Sequence, residues 1–202
     1  KHIHAVLRKT PGHVAVFAPS YALLEQIVIE DEQWTGRKLL RERPRASKEE
    51  MDRIVDKLHQ LRRSKDKALL AGVLGGKLAE GVDYPENILD AVICIGLPLP
   101  PPSARQDALK DYYEDEYGSV RAWRYAGSQP AVNRLMQAVG RPIRKAADRA
   151  LVVLLEKRLL QRGFKICMPE GMHTVETVDS ERTGRHAERF FERHPKPAKF
   201  TE

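Results

Sequence analysis

The residues whose types and spacing best suit chemistry lie at positions 129 to 158, in the stretch QPAVNRLMQAVGRPIRKAADRALVVLLEKR. Gln137, Arg141 and Arg144 are separated by four and three residues, so a helix through all three would place them on one face. Pro142 would kink such a helix, yet two guanidiniums and one amide stay within a turn or two of each other. Because a planar, permanently charged guanidinium suits phosphate oxygens, this group predicts a phosphate site with a charge-stabilising arginine.

A second group of polar residues, Glu80-Gly81-x-Asp83, follows the apolar run ALLAGVL at positions 68 to 74. Loops at the carboxyl ends of parallel strands hold the ligand chemistry of many α/β proteins. Two carboxylates at such a position can bind ribose hydroxyls or order a water molecule, and they can equally be solvated loop residues. Residue types alone leave both interpretations open.

The pair Gly76-Lys77 in the same stretch invites comparison with a Walker A phosphate loop. That motif needs the spacing G-x-x-x-x-G-K-[ST], because backbone N–H groups wrap the phosphates and the hydroxyl binds Mg²⁺. Here Ala71 stands at the first glycine position and Leu78 at the hydroxyl position. Leucine cannot bind Mg²⁺, so the stretch does not predict a Walker A loop.

The elements that position these residues are predicted from four apolar runs, read as buried strands at positions 13 to 20, 68 to 74, 90 to 99 and 149 to 156. Strands that are apolar throughout and separated by helical segments indicate a parallel sheet covered on both faces. The predicted fold class is therefore α/β, with a parallel sheet flanked by helices.

Helical patterns fill most of the remaining chain. Leu23, Leu24, Ile27 and Val28 follow at helical spacing, and the acidic pair Asp31-Glu32 is interpreted as a helix end rather than a metal box. Ser47 and Glu50 form a predicted capping box at the start of KEEMDRIVDKLHQLRR. Residues 35 to 47 are predicted as irregular, 103 to 128 as a helical insertion, and 171 to 202 as a tail with one short helix.

Composition narrows the class of protein. The chain has 202 residues and a formal net charge of +7, and positions 35 to 65 alone hold 11 Lys/Arg against 5 Asp/Glu. A polyanionic partner is one explanation of this excess, and a solvated basic face is the other. Two cysteines are too few for a disulfide framework or a four-cysteine metal cluster, and no metal site is predicted in this chain. Cys94, in AVICIG, is expected to be a small buried residue.

The sequence shows no signal-peptide pattern and no apolar run long enough to span a membrane. An intracellular protein, cytoplasmic or in a eukaryote nuclear, is therefore expected. Because the sequence begins at Lys1 rather than Met, the chain is expected to be part of a longer protein.

Three blocks together resemble motifs of the XPD/DinG-type superfamily-two DNA helicases. QAVGRPIRKAADRALVVLLEKR resembles motif VI, GGKLAEGVDYP motif V, and GHVAVFAPSYALLEQI motif IV. They occur in the family's order and cover roughly residues 1 to 170. The resemblance implies the second, carboxyl-terminal motor domain, a RecA-like domain at residues 1 to 170.

The resemblance also implies roles for individual residues. Gln137, Arg141 and Arg144 would face the γ-phosphate of ATP, and Glu80, Gly81 and Asp83 would line the nucleotide cleft or couple it to DNA. The residues expected near single-stranded DNA are Ser20, Tyr21 and Lys77, with Trp123, and in the same insertion Tyr125, as candidates for base stacking or for simple packing.

The parts of the family absent from this sequence are the Walker A loop, the acidic metal-binding box and the cysteine-ligated iron–sulfur domain, all of which belong to the first motor domain. The resemblance therefore implies that ATP and Mg²⁺ are shared with that domain, and that this chain alone does not hydrolyse ATP. Its expected partners are single-stranded DNA, the first motor domain and DNA-repair proteins, with no membrane. The alternative is a non-catalytic nucleic-acid-binding or interaction module on the same scaffold.

Overall fold

The computed structural model describes residues 1–28 and 36–196, and within them one sheet of five parallel strands forms the centre. The strands are β1 (His13–Ala18), β2 (Lys38–Arg41), β3 (Ala68–Val73), β4 (Leu89–Ile95) and β5 (Leu151–Leu155). Their order across the sheet is β2-β3-β1-β4-β5. The predicted parallel sheet is confirmed, whereas the prediction of irregular structure for residues 35 to 47 is wrong, because that stretch contains β2.

Eight α-helices flank or extend the sheet in the part of the chain that the structure describes. They are α1 (His2–Lys9), α2 (Tyr21–Val28), α3 (Lys48–Arg63), α4 (Ala104–Tyr117), α5 (Ser119–Trp123), α6 (Gln129–Val139), α7 (Arg162–Lys165) and α8 (Ser180–Arg193). The predicted capping box of α3 is confirmed, since the Ser47 hydroxyl accepts from the Glu50 N–H and the Glu50 carboxylate accepts from the Ser47 N–H.

Every residue of β1 and β3 is buried, because apolar side chains cover both faces of the sheet. On one face, α3 and α6 pack with Leu58 and Leu135 against alternate strand residues such as Phe17. On the other, Val6 of α1 packs against the intervening strand residues. Cys94 is fully buried, as expected, and burial raises the pKa of its thiol to about 12.

The helix predicted in the tail is α8, which packs along α1. The His2 ring hydrogen-bonds to Thr183 at 2.9 Å, and Lys9 pairs with Glu188 at 2.6 Å. Phe191 packs against the apolar cluster between α1 and the sheet. A domain boundary near residue 170 stays a prediction. None of the described helices is both long and apolar enough for a membrane span.

His13 is a buried titratable group that joins three elements. Its Nε2 lies 2.9 Å from the Leu58 carbonyl oxygen of α3, and the Ala68 N–H at the start of β3 donates to Nδ1 at 3.1 Å. An imidazole that donates from Nε2 and accepts at Nδ1 is neutral. Burial, followed by the nearby Arg62 charge, lowers the pKa of His13 from 6.5 to about 4.

Acidification should therefore destabilise the fold before the carboxylates titrate. The unfolded chain binds a proton at His13 below pH 6.5, whereas the folded chain does so only near pH 4. The stabilisation is complete above the higher value and is lost as pH falls towards the lower one. Urea unfolding should show a loss of roughly 2 kcal/mol in the free energy of unfolding between about pH 7.5 and about pH 5.

A His13→Gln variant is the control for this prediction. It should be less stable than the parent chain near neutral pH and should lose most of the pH dependence in that range, because glutamine does not titrate. An equal loss of stability on acidification in the variant would assign the effect to another group.

Candidate functional site

The segment between β3 and β4 carries the predicted carboxylates. It begins with Gly75 at a φ of +83°, where a side chain would be strained, and continues as a single π-helical turn over Lys77–Gly81. Leu78 is fully buried, and the buried Tyr84 hydroxyl donates to its carbonyl oxygen at 2.9 Å. Burial raises the pKa of Tyr84, so this hydroxyl remains a donor. The polar residues of the segment are thus held by two buried side chains.

The predicted arginines lie beyond the end of α6. The helix ends at Val139, and the Arg141 N–H bonds to the Ala138 carbonyl oxygen in a tighter turn. A continuous helix through both arginines, one of the two arrangements considered above, is therefore not formed. Gln137 lies on the last turn of α6 with its side chain exposed.

Both arginines contact the segment after β3. Arg141 Nη1 donates to the Val82 carbonyl oxygen at 3.1 Å, and Arg144 Nη2 lies 2.5 Å from Asp83 Oδ1. The side chains of Arg144 and Asp83 are 45% and 74% exposed, so their ion pair is solvated. The structure thus brings together Asp83, Arg141 and Arg144, which are distant in sequence.

Two residues that the sequence analysis missed hold the turn that carries these arginines, residues 140 to 149, in place. The Asp148 carboxylate accepts from the backbone N–H of Arg144 at 2.7 Å and of Lys145 at 2.8 Å. These bonds, that of Arg144 first, lower the pKa of Asp148. Asn87 Nδ2 donates to the Pro142 carbonyl oxygen at 2.6 Å, and its Oδ1 accepts from the backbone of Arg149 at 3.2 Å.

Glu80 lies in the π-helical turn, and its Oε1 is buried without a hydrogen-bond partner among the described residues. The neighbouring Gly81 is exposed. A buried carboxylate oxygen without a partner is costly in free energy, and such an oxygen is suited to accept a bond from a ligand. Glu80 and Asp83 are close in sequence but have different environments, since Glu80 is half-buried and Asp83 is exposed.

The residues expected near DNA follow β1 and β3, two neighbouring strands. The Ser20 hydroxyl accepts from the Leu23 N–H at 3.3 Å and so caps α2, whose first residue is Tyr21. The Lys77 ammonium donates to the Ala46 carbonyl oxygen. Ser20, Tyr21 and Lys77 therefore share the carboxyl edge of the sheet. The turn with the arginines lies beside the start of β4.

The aromatic residues of the helical insertion are partly packed. Trp123 is 44% exposed, but its six-membered ring lies against Gly127. Tyr125 lies with its ring centroid 5.5 Å from that of Tyr113 and 5.2 Å from that of Tyr117. Of the two candidates, Trp123 keeps the more accessible face.

Asp31 and Glu32, considered above for a metal-binding role, lie outside the described residues. Within residues 1–28 and 36–196, no group of three or more His, Cys, Asp or Glu side chains could hold a metal ion. Glu42, buried at the end of β2, is a third polar residue missed from the sequence. Its signal was the short apolar pair Leu39-Leu40, separated from it by Arg41, which is too brief to distinguish a strand from a loop.

The chain is similar to known proteins in sequence and in fold. The profile of the helicase C-terminal domain matches residues 3–175. The chain is 31% identical over 168 residues to the Fanconi anemia group J protein homolog of Gallus gallus, and 27% identical over 175 residues to the ATP-dependent DNA helicase CHL1 of Eremothecium gossypii. These matches cover 76% and 77% of this chain. The chain spans 13% and 21% of the length of these two relatives.

A solved structure of an XPD helicase has the same fold over 80% of this chain and 28% of that chain, with a TM-score of 0.61 and 25% sequence identity. This likeness confirms the predicted RecA-like fold. The chain belongs to the helicase C-terminal domain family, and its relatives are the XPD-type helicases of superfamily two.

Proposed function

We propose that this chain is the second motor domain of an ATP-dependent DNA helicase. It completes an ATP site formed with a first motor domain and grips single-stranded DNA, in a DNA-repair role. The observation that carries the proposal is the meeting of two distant blocks, in which Arg144 pairs with Asp83 and Arg141 binds the Val82 carbonyl oxygen.

The Arg144–Asp83 pair has the properties of an exchangeable contact. Exposed ion pairs contribute about 0 to 1 kcal/mol, so the carboxylate holds the guanidinium weakly. A triphosphate offers more negative charge and can take a planar guanidinium with two bonds. Arg144 would then move from Asp83 to the γ-phosphate when the two motor domains close around ATP, with Arg141 and Gln137 beside it. Glu80, Gly81 and Asp83 would line the same cleft.

The residues at the carboxyl edge of the sheet would bind the DNA backbone. Ser20 and Lys77 offer a hydroxyl and an ammonium at the ends of neighbouring strands, and Tyr21 lies beside Ser20. Such groups bind phosphates without regard to base sequence, and the affinity falls with salt. The exposed Trp123 is the candidate for stacking on a base.

The remaining groups belong to the complete helicase. Mg²⁺ would be held with the ATP phosphates by the first motor domain, and an iron–sulfur cluster, where one exists, would be in that domain also. The partners are the first motor domain, single-stranded DNA and repair proteins, and the place of action is inside the cell, in the cytoplasm or a eukaryotic nucleus.

Reconstitution tests the motor function. The purified chain alone should hydrolyse no ATP, and mixing it with a first motor domain of the family should produce ATP hydrolysis that depends on single-stranded DNA. Arg144→Ala should lower the stimulated rate by roughly a thousandfold, because a charge-stabilising arginine contributes about that much or more in phosphoryl transfer.

Arg185→Ala is the matched control, since Arg185 is an arginine of similar exposure that pairs with Glu181 on α8, and this variant should leave the rate unchanged. Hydrolysis by the chain alone, lost on changing Gln137 or Arg144, would contradict the assignment to a second motor domain. Binding of DNA without any effect on ATP hydrolysis would favour the non-catalytic module.

The backbone contacts of Asp148 provide a second test. Asp148→Ala removes the acceptor of the Arg144 and Lys145 N–H groups, so it should lower the turnover rate of the reconstituted complex by about tenfold, equal to about 1.4 kcal/mol. Asp148→Asn keeps an oxygen that accepts these bonds and should restore most of the rate. If the two variants behave alike, Asp148 does not act through the backbone of the turn.

A further inference from the structure

Glu42 is a buried carboxylate at the end of β2, with 2% of its surface exposed. Its Oε1 accepts from the Lys77 N–H at 2.7 Å, and its Oε2 accepts from the Val73 N–H at 3.3 Å. No lysine, arginine or histidine among the described residues forms an ion pair with it. A buried charge without an ionic partner depends on such hydrogen bonds.

Two glycines make room for this carboxylate. A Cβ atom on Gly76 would lie 2.6 Å from Oε2 and 2.8 Å from Oε1 of Glu42, and one on Gly72 would lie 2.8 Å from Oε2. All three distances are shorter than van der Waals contact allows. The backbone of Gly76 has a φ of −82°, which any residue adopts. The glycine at this position is therefore required by the space that the Glu42 and Val73 side chains occupy and not by its backbone conformation.

Tyr21 makes the third contact with Glu42. Its ring packs against the cluster that contains Val73, whose N–H bonds to Glu42, and burial, followed by the charge and the hydrogen bonding of the nearby Glu42 carboxylate, raises the pKa of Tyr21 to about 12. Tyr21 begins α2 directly after β1, while Lys77 begins the turn after β3. One carboxylate thus joins the two segments that carry the residues expected near DNA, and the second segment continues to Glu80 and Asp83.

We propose that Glu42 is a positioning residue that holds Tyr21 and the backbone of Lys77 as one unit, so that the strand-binding edge and the segment leading to the nucleotide site move together. The inference rests on the proposed function. Glu42 itself touches neither ligand, because it is buried beneath both segments.

A double-mutant cycle tests this coupling through DNA affinity. The affinity of the 202-residue chain for fluorescently labelled oligothymidylate is measured by anisotropy for the parent, Glu42→Gln, Tyr21→Phe and the double variant. Each single variant should bind at least about tenfold more weakly, the scale expected for the loss of a hydrogen bond to a charged group. The double variant should bind no more weakly than the weaker single variant, because both changes break the same unit.

Two further variants separate positioning from general damage. Glu176→Gln makes the same change at an exposed loop residue and should leave DNA affinity unchanged. Gly76→Ala places a methyl group against the Glu42 carboxylate and should reproduce the loss seen with Glu42→Gln. If Glu42→Gln does not fold, Gly76→Ala takes its place in the double-mutant cycle of DNA affinity with Tyr21→Phe.

A spectroscopic measurement reports on the contact without DNA. With ¹³C-labelled tyrosine, the Tyr21 ring signal, assigned by its loss in Tyr21→Phe, should titrate at a lower pH in Glu42→Gln than in the parent chain. Additive effects in the cycle, or unchanged DNA affinity in a folded Glu42→Gln, would overturn the inference. Failure of the parent chain to bind oligothymidylate would instead overturn the DNA part of the proposed function, while the tyrosine titration still tests the Glu42–Tyr21 contact.

Discussion

The return path from β3 to β4 is the constraint on which the site depends. All five strands are parallel, so each connection must bring the chain from the carboxyl edge of the sheet back to its amino edge. Residues 74 to 88 do so while passing β1, which lies between β3 and β4. Leu78, Tyr84 and Ile88 are fully buried along this path. Because these apolar side chains fix the route, Asp83, which lies between Leu78 and Tyr84, is held next to the residues that follow α6.

Glu42, which contacts the start of this path, and Asp83, which lies near its end, differ in exposure and in their partners. Glu42 is 2% exposed and accepts from the backbone N–H groups of Val73 and Lys77, so it fixes the backbone conformation at the start of the path. The Asp83 side chain is 74% exposed and bonded to an arginine that solvent also reaches. A buried, fully bonded acceptor is expensive to displace, whereas an exposed ion pair is readily exchanged. The path is therefore rigid where it leaves β3 and adaptable where it meets Arg144.

The fold was more predictable from sequence than the contacts of the site. Continuous apolar runs identified β1, β3, β4 and β5, because strands buried on both faces have few polar residues. The strand β2 was missed, since its sequence KLLR has charged residues at both ends and lies at the edge of the sheet. Glu42 was missed together with β2, because its role depends on the strand pairing that places it beside Gly72 and Gly76. Local pattern contains no information about such a pairing.

The arginines show the same limit. Pro142 predicted a kink in a helix through the arginines, but the partners of Arg141 and Arg144 lie about sixty residues earlier, at Val82 and Asp83. Asn87 and Asp148 were missed because each acts on backbone atoms of a turn whose shape follows from the tertiary fold. Residue types thus indicated the chemistry of the proposed phosphate site, whereas the contacts of the two arginines follow from the assembled sheet.

The glycine turn after β3 resembles a phosphate loop because it meets a similar physical demand. In a Walker A loop, glycines let backbone N–H groups close around an anion supplied by the nucleotide. Here Gly76 lets the Lys77 N–H close around an anion supplied by the chain itself, the Glu42 carboxylate. A phosphate at the same N–H group would have to displace the buried Glu42 carboxylate. The two anions would repel each other there. In the proposed function, phosphate recognition is consequently assigned to Arg141 and Arg144, which contact the other end of the path at Val82 and Asp83.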